Sequence, residues 1–242
     1  MTWLPKTAMV LAAGMGVRMR PLTDKTPKPM VRLDGKPLID HVLDRIGEAG
    51  IKQAVVNVHH HADQIETHVK KRKFPRITIS DERGQLLETG GGVKKALPKL
   101  GHEPFLVHNS DSLWVEGVQP NIVRLARAFE PENMDCLLLL ALGSGSLGYE
   151  GRGDFLMSAD GLISRRPERE VAPFVFTGVS IAHPRLFDGA PDGPFSLNRV
   201  WDRAIARKRV YGIRLDGIWM HVGTPGALAE AEMMLNGTHA VA

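Results

Sequence analysis

Short apolar runs alternate with amphipathic stretches along the chain, and their spacing predicts strands alternating with helices. Residues 9–13 are apolar throughout and read as a buried strand. Leu38, Ile39, Val42, Leu43 and Ile46 recur at helical spacing between Pro37 and Gly50, a proline start and a glycine stop. Residues 54–58 predict a second buried strand, Ile65 and Val69 a short helix, and 77–80 a third strand. A helix is expected from about Gly91 through Leu97, then a strand over 105–108. This alternation calls for right-handed crossovers and an α/β, doubly wound, mostly parallel Rossmann-like sheet, with any ligand at the carboxyl ends of its strands.

The texture changes near Met134. A strand over 136–142 precedes the glycine-rich stretch 143–153, then short strands around Phe155 and over 174–181. These predict a small antiparallel insertion or lid packed beside the sheet. A helix carrying Leu197, Val200, Trp201, Ala204 and Ile205 follows, then apolar runs at 210–215 and 219–222 and a closing helix over 225–235. No internal repeat is visible, so the expectation is one domain over 1–242.

Composition narrows the function classes. The chain has 242 residues, 43% of them hydrophobic, enough for one large α/β core. Thirty-one Lys and Arg against 27 Asp and Glu leave a charge of +4, too mild for a dedicated nucleic-acid binder and compatible with small anionic substrates. Cys136 is the one cysteine, which fits a reducing, cytoplasmic setting. The longest apolar run is too short to span a bilayer and no signal-peptide core precedes Arg18, so no membrane or nucleic-acid partner is expected.

The chemistry concentrates after the first strand. Gly14 and Gly16 open a bare-backbone loop, followed by Arg18, Arg20 and, between two prolines, Lys28. Backbone N–H groups exposed by glycine and fixed cations suit a polyphosphate. A dinucleotide fingerprint would need a third glycine where Met19 stands, and no Gly-Lys-Ser/Thr completes a Walker A loop. The ordered string from Leu11 to Met30, LAAGMGVRMRPLTDKTPKPM, instead resembles the signature of the sugar-phosphate nucleotidyltransferases, or NDP-sugar pyrophosphorylases.

That resemblance implies a division of the chain into a nucleotide-binding part (1–133), a sugar-binding part (134–222) and a C-terminal helix (223–242). It implies a nucleotide site at Ala12, Ala13, Gly14 and Gly16, with Arg18 gripping the pyrophosphate portion and Lys28 contacting substrate phosphate. Leu87 to Gly92, LETGGG, matches a turn that lies against the nucleobase or ribose, which brings in Thr89 and Gly90. Glu82 falls near the base edge; it is either a base contact or a solvated loop charge. Asp111, just past the end of a buried strand, matches the metal aspartate, and Asn109 a substrate contact. On the sugar side, GRGDF at 151–155 brings Gly153 and Asp154, and FTGVS at 176–180 brings Thr177 and Gly178. Arg165-Arg166-Pro167 stands where many relatives have Glu-Lys-Pro, so Arg166 either replaces a phosphate-binding lysine or is a solvated turn.

The implied cofactor is Mg²⁺, with one departure from the pattern. Where the family carries a second metal aspartate, WMHVGT at 219–224 places His221. Imidazole is a poor magnesium ligand, so Asp111 serves alone, with His221, or with help from Asp216 or Asp154. The run His59, His60, His61 is expected in a loop without zinc, since neighbouring side chains of an extended segment diverge. The implied reaction joins a nucleoside triphosphate to a sugar 1-phosphate with loss of pyrophosphate, in a monomer or homodimer. Among family members, the compact length, the LETGGG turn and the GRGDF segment most resemble those that act on UTP and N-acetylmuramate 1-phosphate, and the resemblance implies those substrates. Guanylyl transfer to mannose 1-phosphate is the alternative of the same class, and a non-catalytic nucleotide-sugar binding protein the alternative of another.

Overall fold

The computed structural model describes residues 3–239. In chain order, β1 (Thr7–Leu11) leads through the loop that carries Arg18 and Lys28 to a two-residue hairpin, β2 (Arg32–Leu33) and β3 (Lys36–Pro37). Then come α1 (Leu38–Glu48), β4 (Gln53–Val58), α2 (Ala62–Val69), β5 (Arg76–Asp81), α3 (Glu88–Leu100), β6 (Phe105–Asn109), β7 (Ser112–Glu116), α4 (Asn121–Ala128) and β8 (Cys136–Leu142). The second half holds β9 (Phe155–Met157), β10 (Ile163–Arg165), β11 (Phe174–Ala182), α5 (Leu197–Ala206), β12 (Val210–Arg214), β13 (Gly217–His221) and α6 (Pro225–His239).

The strands form because their apolar residues alternate between two covered faces. In β1, Ala8 and Val10 face one core cluster and Met9 the other; in β8, Leu137 and Leu139 oppose Cys136, Leu138 and Leu140. A strand buried on both sides loses the polar alternation of an edge strand and reads as a continuous apolar run. Helices α1, α2 and α4 contribute to the first cluster through Ile39, Val42, Ile46, Ile65 and Leu125. Helices α3 and α5 contribute Val93, Ala96, Val200 and Trp201 to the second.

The main sheet has nine strands. Strands β5, β4, β1 and β6 are neighbours in that order and parallel, as the alternation predicts. From β1 the chain moves outward through β4 to β5, then returns to β6 on the other side. That reversal opens a crevice at the carboxyl ends of β1 and β6, the general ligand site of open α/β sheets.

Beyond β6 the sheet continues instead of ending. Strand β11 pairs antiparallel with β6 and β8, β12 adds parallel to β8, and β9 and β10 hang on the β11 side. The antiparallel strands expected beside the sheet therefore extend it, because β11 is long enough to pair with three neighbours. The hairpin β2–β3 and strand β10 escape the pattern-based reading, as do two longer elements. Strand β7 is only five residues and follows β6 after Ser110 and Asp111, and α4 begins behind Pro120. Strand β7 pairs with β13 in a separate two-stranded sheet. Among the described residues no helix is long and apolar enough to cross a membrane.

One buried charge ties the second half together. Asp135, beside β8, accepts from Arg185 Nε at 2.6 Å and from Arg209 Nε at 2.7 Å, while its backbone bonds reach Arg209 and His183. Burial pushes its carboxyl up, but the two guanidinium groups bring it below the ordinary carboxylate range. Asp135→Asn is expected to cost about 1–3 kcal/mol at pH 7, because both arginines lose a charged acceptor while remaining partly hydrated. A depressed folded pKa makes this contribution whole above an unfolded value of about 3.9 and lost as pH falls through the folded one. Urea unfolding of wild type and variant between pH 7 and pH 3 is expected to show a stability gap that narrows below about pH 4.

Candidate active site

The crevice at β1 and β6 is a cavity of about 240 Å³ lined by Ala12, Ala13, Gly14 and Gly16 on one side and Asn109, Ser110 and Asp111 on the other, with Lys28, Asn57, Glu88 and Thr89 around them. Gly16 has a φ of 65°, and a Cβ there would press at 3.1 Å on the side chains of Lys28 and Thr23. Thr23 in turn donates to the Gly16 carbonyl at 2.8 Å. The glycine therefore lets the loop fold back against the segment that carries Lys28.

Lys28 and Asp111 come together from 83 residues apart. The lysine ammonium donates to Asp111 Oδ2, and the two side chains are 12% and 28% exposed. Burial, the largest influence, pushes the Asp111 carboxyl up, yet the charge and hydrogen bond of Lys28, with His221, bring it net below the ordinary range. Strand pairing delivers His221, since its Cα partner across β7–β13 is Ser112, the neighbour of Asp111. Burial lowers the His221 pKa, with Asp111 opposing and Arg18 adding to the effect, so the imidazole is neutral near pH 7. Asp216 holds the far end of the same two strands, where its carboxylate accepts from the Val118 backbone at 2.8 Å.

A second cleft of about 300 Å³ adjoins the first and shares Thr89 and Asn109 with it. Asp154, Phe155, Arg165, Phe176, Ser196, Leu197, Asn198 and Trp201 complete its lining. Phe176 meets Trp201 edge to face at 4.8 Å between centroids, and Phe155 does so at 6.4 Å, giving it an aromatic wall. Asp154 keeps its place by accepting from the Phe176 N–H at 2.9 Å. Arg18 lies apart from both cavities on an exposed turn, where it lines a third cleft with Tyr149, His221 and Thr224.

Several expected contacts turn out to be supports. Glu82 is 1% exposed; Oε1 accepts from Asn57 Nδ2 at 2.8 Å and Oε2 from the Leu87 N–H at 3.2 Å, so it lies behind the cavity and not at a base edge or in solvent. Asn57 completes a relay by accepting from the Ala12 N–H at 2.7 Å. Gly90 is buried, its N–H donates to the Phe195 carbonyl at 2.8 Å, and a Cβ would strike the Phe195 ring, so it serves helix packing. Thr177 is fully buried and donates to the Leu139 carbonyl at 2.8 Å, away from either cleft. Gly178, at φ 87°, leaves room for Asn109, whose Nδ2 would lie 2.8 Å from an added Cβ.

Gly153 and Arg166 also face the backbone. Gly153 has a φ of 76° and no space for a Cβ against the Ala172 carbonyl. Arg166 donates from Nε to the Gly153 carbonyl at 3.0 Å and from Nη1 to Glu170 at 2.9 Å, so its guanidinium closes a loop instead of meeting a phosphate or solvating a turn. Of the lining residues that sequence reasoning missed, two stand out. Glu88 adopts a φ of 58°, a conformation that is costly for a non-glycine and gathers at functional sites. Arg165 is the other, passed over for its neighbour Arg166. The histidine run forms the turn into α2, with His59 against the Glu82 carbonyl at 2.7 Å.

Among the described residues no group of three or more His, Cys, Asp or Glu side chains is placed to hold a metal ion. The donor set therefore fits a cation that shares its shell with phosphate and water more than a cage made by protein alone. An ionised Asp111 at the cavity wall is the side chain suited to that role.

The Glu82 relay makes a direct prediction. In Glu82→Gln one carboxyl oxygen becomes an NH₂ group, which sets a donor against the Leu87 or the Asn57 donor. A loss of about 1–3 kcal/mol in denaturant unfolding is expected, with the order of preference among nucleoside triphosphates unchanged in a turnover panel.

Comparison with known proteins gives the chain a family. The nucleotidyl transferase family profile matches residues 7–141, from β1 through most of β8, the stretch that supplies the glycine loop, Lys28, Asn109 and Asp111. The chain is 50% identical over 239 residues to the N-acetylmuramate alpha-1-phosphate uridylyltransferase of Caulobacter vibrioides, covering 97% of this chain and 99% of that protein. It is 37% identical to the protein of that name from Neisseria meningitidis, over 94% and 97% of the two chains. Among solved structures, a UDP-glucose pyrophosphorylase complexed with UDP-glucose shares the fold at a TM-score of 0.77 and 17% identity, over 96% of this chain and 99% of that one. With the family profile covering more than half its length and close relatives spanning nearly all of it, the chain belongs to the nucleotidyl transferase family.

Proposed function

We propose that the chain transfers a uridylyl group from UTP to N-acetylmuramate α-1-phosphate, releasing pyrophosphate, in the cytoplasmic reuse of cell-wall sugar. The observation that carries this reading is the joining of two unlike cavities at Asn109 and Thr89. One is a glycine loop with a lysine and a carboxylate, suited to phosphates, and the other is an aromatic cleft suited to a sugar ring. A phosphate oxygen of the acceptor attacks the α-phosphorus of UTP, the bond from that phosphorus to the bridging oxygen breaks, and pyrophosphate leaves with the electron pair.

The side chains have distinct parts in this reaction. Loop N–H groups near Gly14 and Gly16 hold the triphosphate, and Lys28, relieved of Asp111 as substrate enters, offsets the repulsion between two polyanions. Arg18 reaches the departing pyrophosphate from the third cleft. Asp111 would hold Mg²⁺, which supplies charge neutralisation at the phosphate oxygens when bound. His221, brought near Asp111 by the pairing of β13 with β7, adds no charge when neutral. Residues 1–133 handle the nucleotide and 134–222 the sugar, and of the C-terminal part 223–242 the described helix α6 closes the fold, in a monomer or homodimer.

Pyrophosphate release with Mg²⁺, each of four nucleoside triphosphates and several sugar 1-phosphates tests the reading. UTP with N-acetylmuramate α-1-phosphate is expected to give the highest kcat/KM, and preference for GTP with mannose 1-phosphate would overturn it. Asp111→Asn is expected to lower kcat by about 10²–10³-fold with the fold intact by circular dichroism, a magnitude typical for loss of one electrostatic group at a reacting centre. Unchanged turnover in that variant would sink the catalytic reading.

A further inference from the structure

The sugar-side cleft has a charge pattern that its aromatic wall does not explain. Of the residues that line it, Arg165 is the one cation. Strand β10 pairs Arg165 with Phe155 across β9, and the guanidinium carbon sits 4.8 Å from the Phe155 ring centroid. Its Nε donates to Asp202 Oδ1 at 2.7 Å and its Nη2 to Asn198 Oδ1 at 2.9 Å, both on α5. Those contacts fix one edge of the guanidinium, while Nη1 makes no hydrogen bond among the described residues. A guanidinium set over an aromatic ring with one amino group left over is able to receive a carboxylate.

Two other cations are committed elsewhere. Arg166 donates to three backbone carbonyls, and Lys94 is bound by Ala190, Pro191 and Asp192. Asp154, on the same wall, has one oxygen taken by the Phe176 N–H and would repel an anion brought close to it. An acceptor bearing a carboxylate on its ring is thus steered to the Arg165 end of the cleft, with its 1-phosphate toward Asn109 and the reacting centre.

We propose that Arg165 selects the acceptor by pairing with a carboxylate carried on the sugar. In N-acetylmuramate 1-phosphate this is the lactyl ether carboxylate, the group that distinguishes it from N-acetylglucosamine 1-phosphate. The assignment rests on the acceptor reading given above. Arg165 acts in recognition and touches no bond that breaks. A purely structural role, pinning β10 to α5 through Asp202 and Asn198, would affect both sugars alike.

The test compares the two sugar phosphates as acceptors for wild type, Arg165→Ala, Arg165→Lys and Asp202→Asn, each checked for its melting temperature. Arg165→Ala is expected to lower kcat/KM for the carboxylated acceptor by about 10–100-fold, the worth of one charge-assisted pair. The fall should lie mainly in KM, with kcat/KM for the uncarboxylated acceptor within about threefold of wild type. Arg165→Lys should recover part of the loss, since it keeps the charge and lacks the fork. Asp202→Asn should keep the discrimination. The ratio between acceptors is unaffected by any shared loss of folded protein, and inhibition by the two UDP-sugars reads the same ratio from the product side. Equal losses for both acceptors, no loss for the carboxylated one, or loss of discrimination in Asp202→Asn would overturn the proposal. If wild type fails to use N-acetylmuramate 1-phosphate at all, it is the acceptor reading that falls.

Discussion

A buried amide and a buried carboxyl group hold the two halves of the crevice in register. Asn57 takes the Ala12 N–H with its oxygen and gives its NH₂ to Glu82, and Glu82 takes the Leu87 N–H at the start of α3. Each such bond adds only about 1 kcal/mol net, but orphaning one buried partner costs about 1–3 kcal/mol, so the relay is strongly specified once formed. It is also sterically closed, because Gly92 abuts both side chains, with Asn57 Nδ2 2.8 Å and Glu82 Oε1 2.9 Å from where a Cβ would stand. The three consecutive glycines of α3 follow from this. Gly92 clears the relay, Gly91 clears the Gly193 carbonyl and Gly90 clears Phe195, at the expense of helix propensity.

The same contacts carry the relay across to the sugar side. The N–H groups of Gly90 and Gly91 both donate to Phe195, and Thr89 Oγ1 accepts from Leu197 N at 2.9 Å at the start of α5. Helix α5 then presents Trp201 and Asn198 to the second cleft. The opposite wall depends on an irregularity in β11. Between Phe176 and Ser180 its register against β8 shifts, so four steps along β11 cover two along β8. Within that bulge Thr177 turns inward to Leu139 and Gly178 opens the space Asn109 occupies. Both supports converge on Asn109 and Thr89, the residues common to the two cavities.

The parts of this arrangement legible in the sequence were those encoded locally. Strands β1, β4, β6 and β8 announced themselves as apolar runs because both faces are covered, and the glycine loop with Lys28 is a short ordered string. Asp111 was legible from its place at a strand end, and His221 only through the resemblance, as the residue standing where the family carries an aspartate. What escaped depends on distant partners. Nothing near Glu82 shows that Asn57, 25 residues earlier, will take up its oxygen. Gly90 looked like a backbone surface for a ligand because Phe195 lies more than a hundred residues away. Arg165 and Arg166 are adjacent and chemically equal, and only strand parity decides between them: Arg165 pairs with Phe155 and overlies its ring, while Arg166 falls back onto carbonyls.

That parity bears on how such a cleft can discriminate. An apolar wall of Phe155, Phe176 and Trp201 accepts the hydrophobic faces of many sugars, and a pocket of that kind separates close analogues only by about 10–200-fold. A cation adds a sharper criterion only if it does not collapse onto its neighbours, and only if its own desolvation is limited. Arg165 meets both conditions: it remains about a third exposed, and its ion-pair partner Asp202 is itself 59% exposed. That tether offsets part of the cost of keeping a charge beside aromatic rings, and it leaves Nη1 of the guanidinium without a hydrogen bond among the described residues. An arginine bound on both edges would be a structural clasp, and one bound on neither would be mobile. Half-bound, it is preorganised at little cost in stability for an anion that arrives with the substrate.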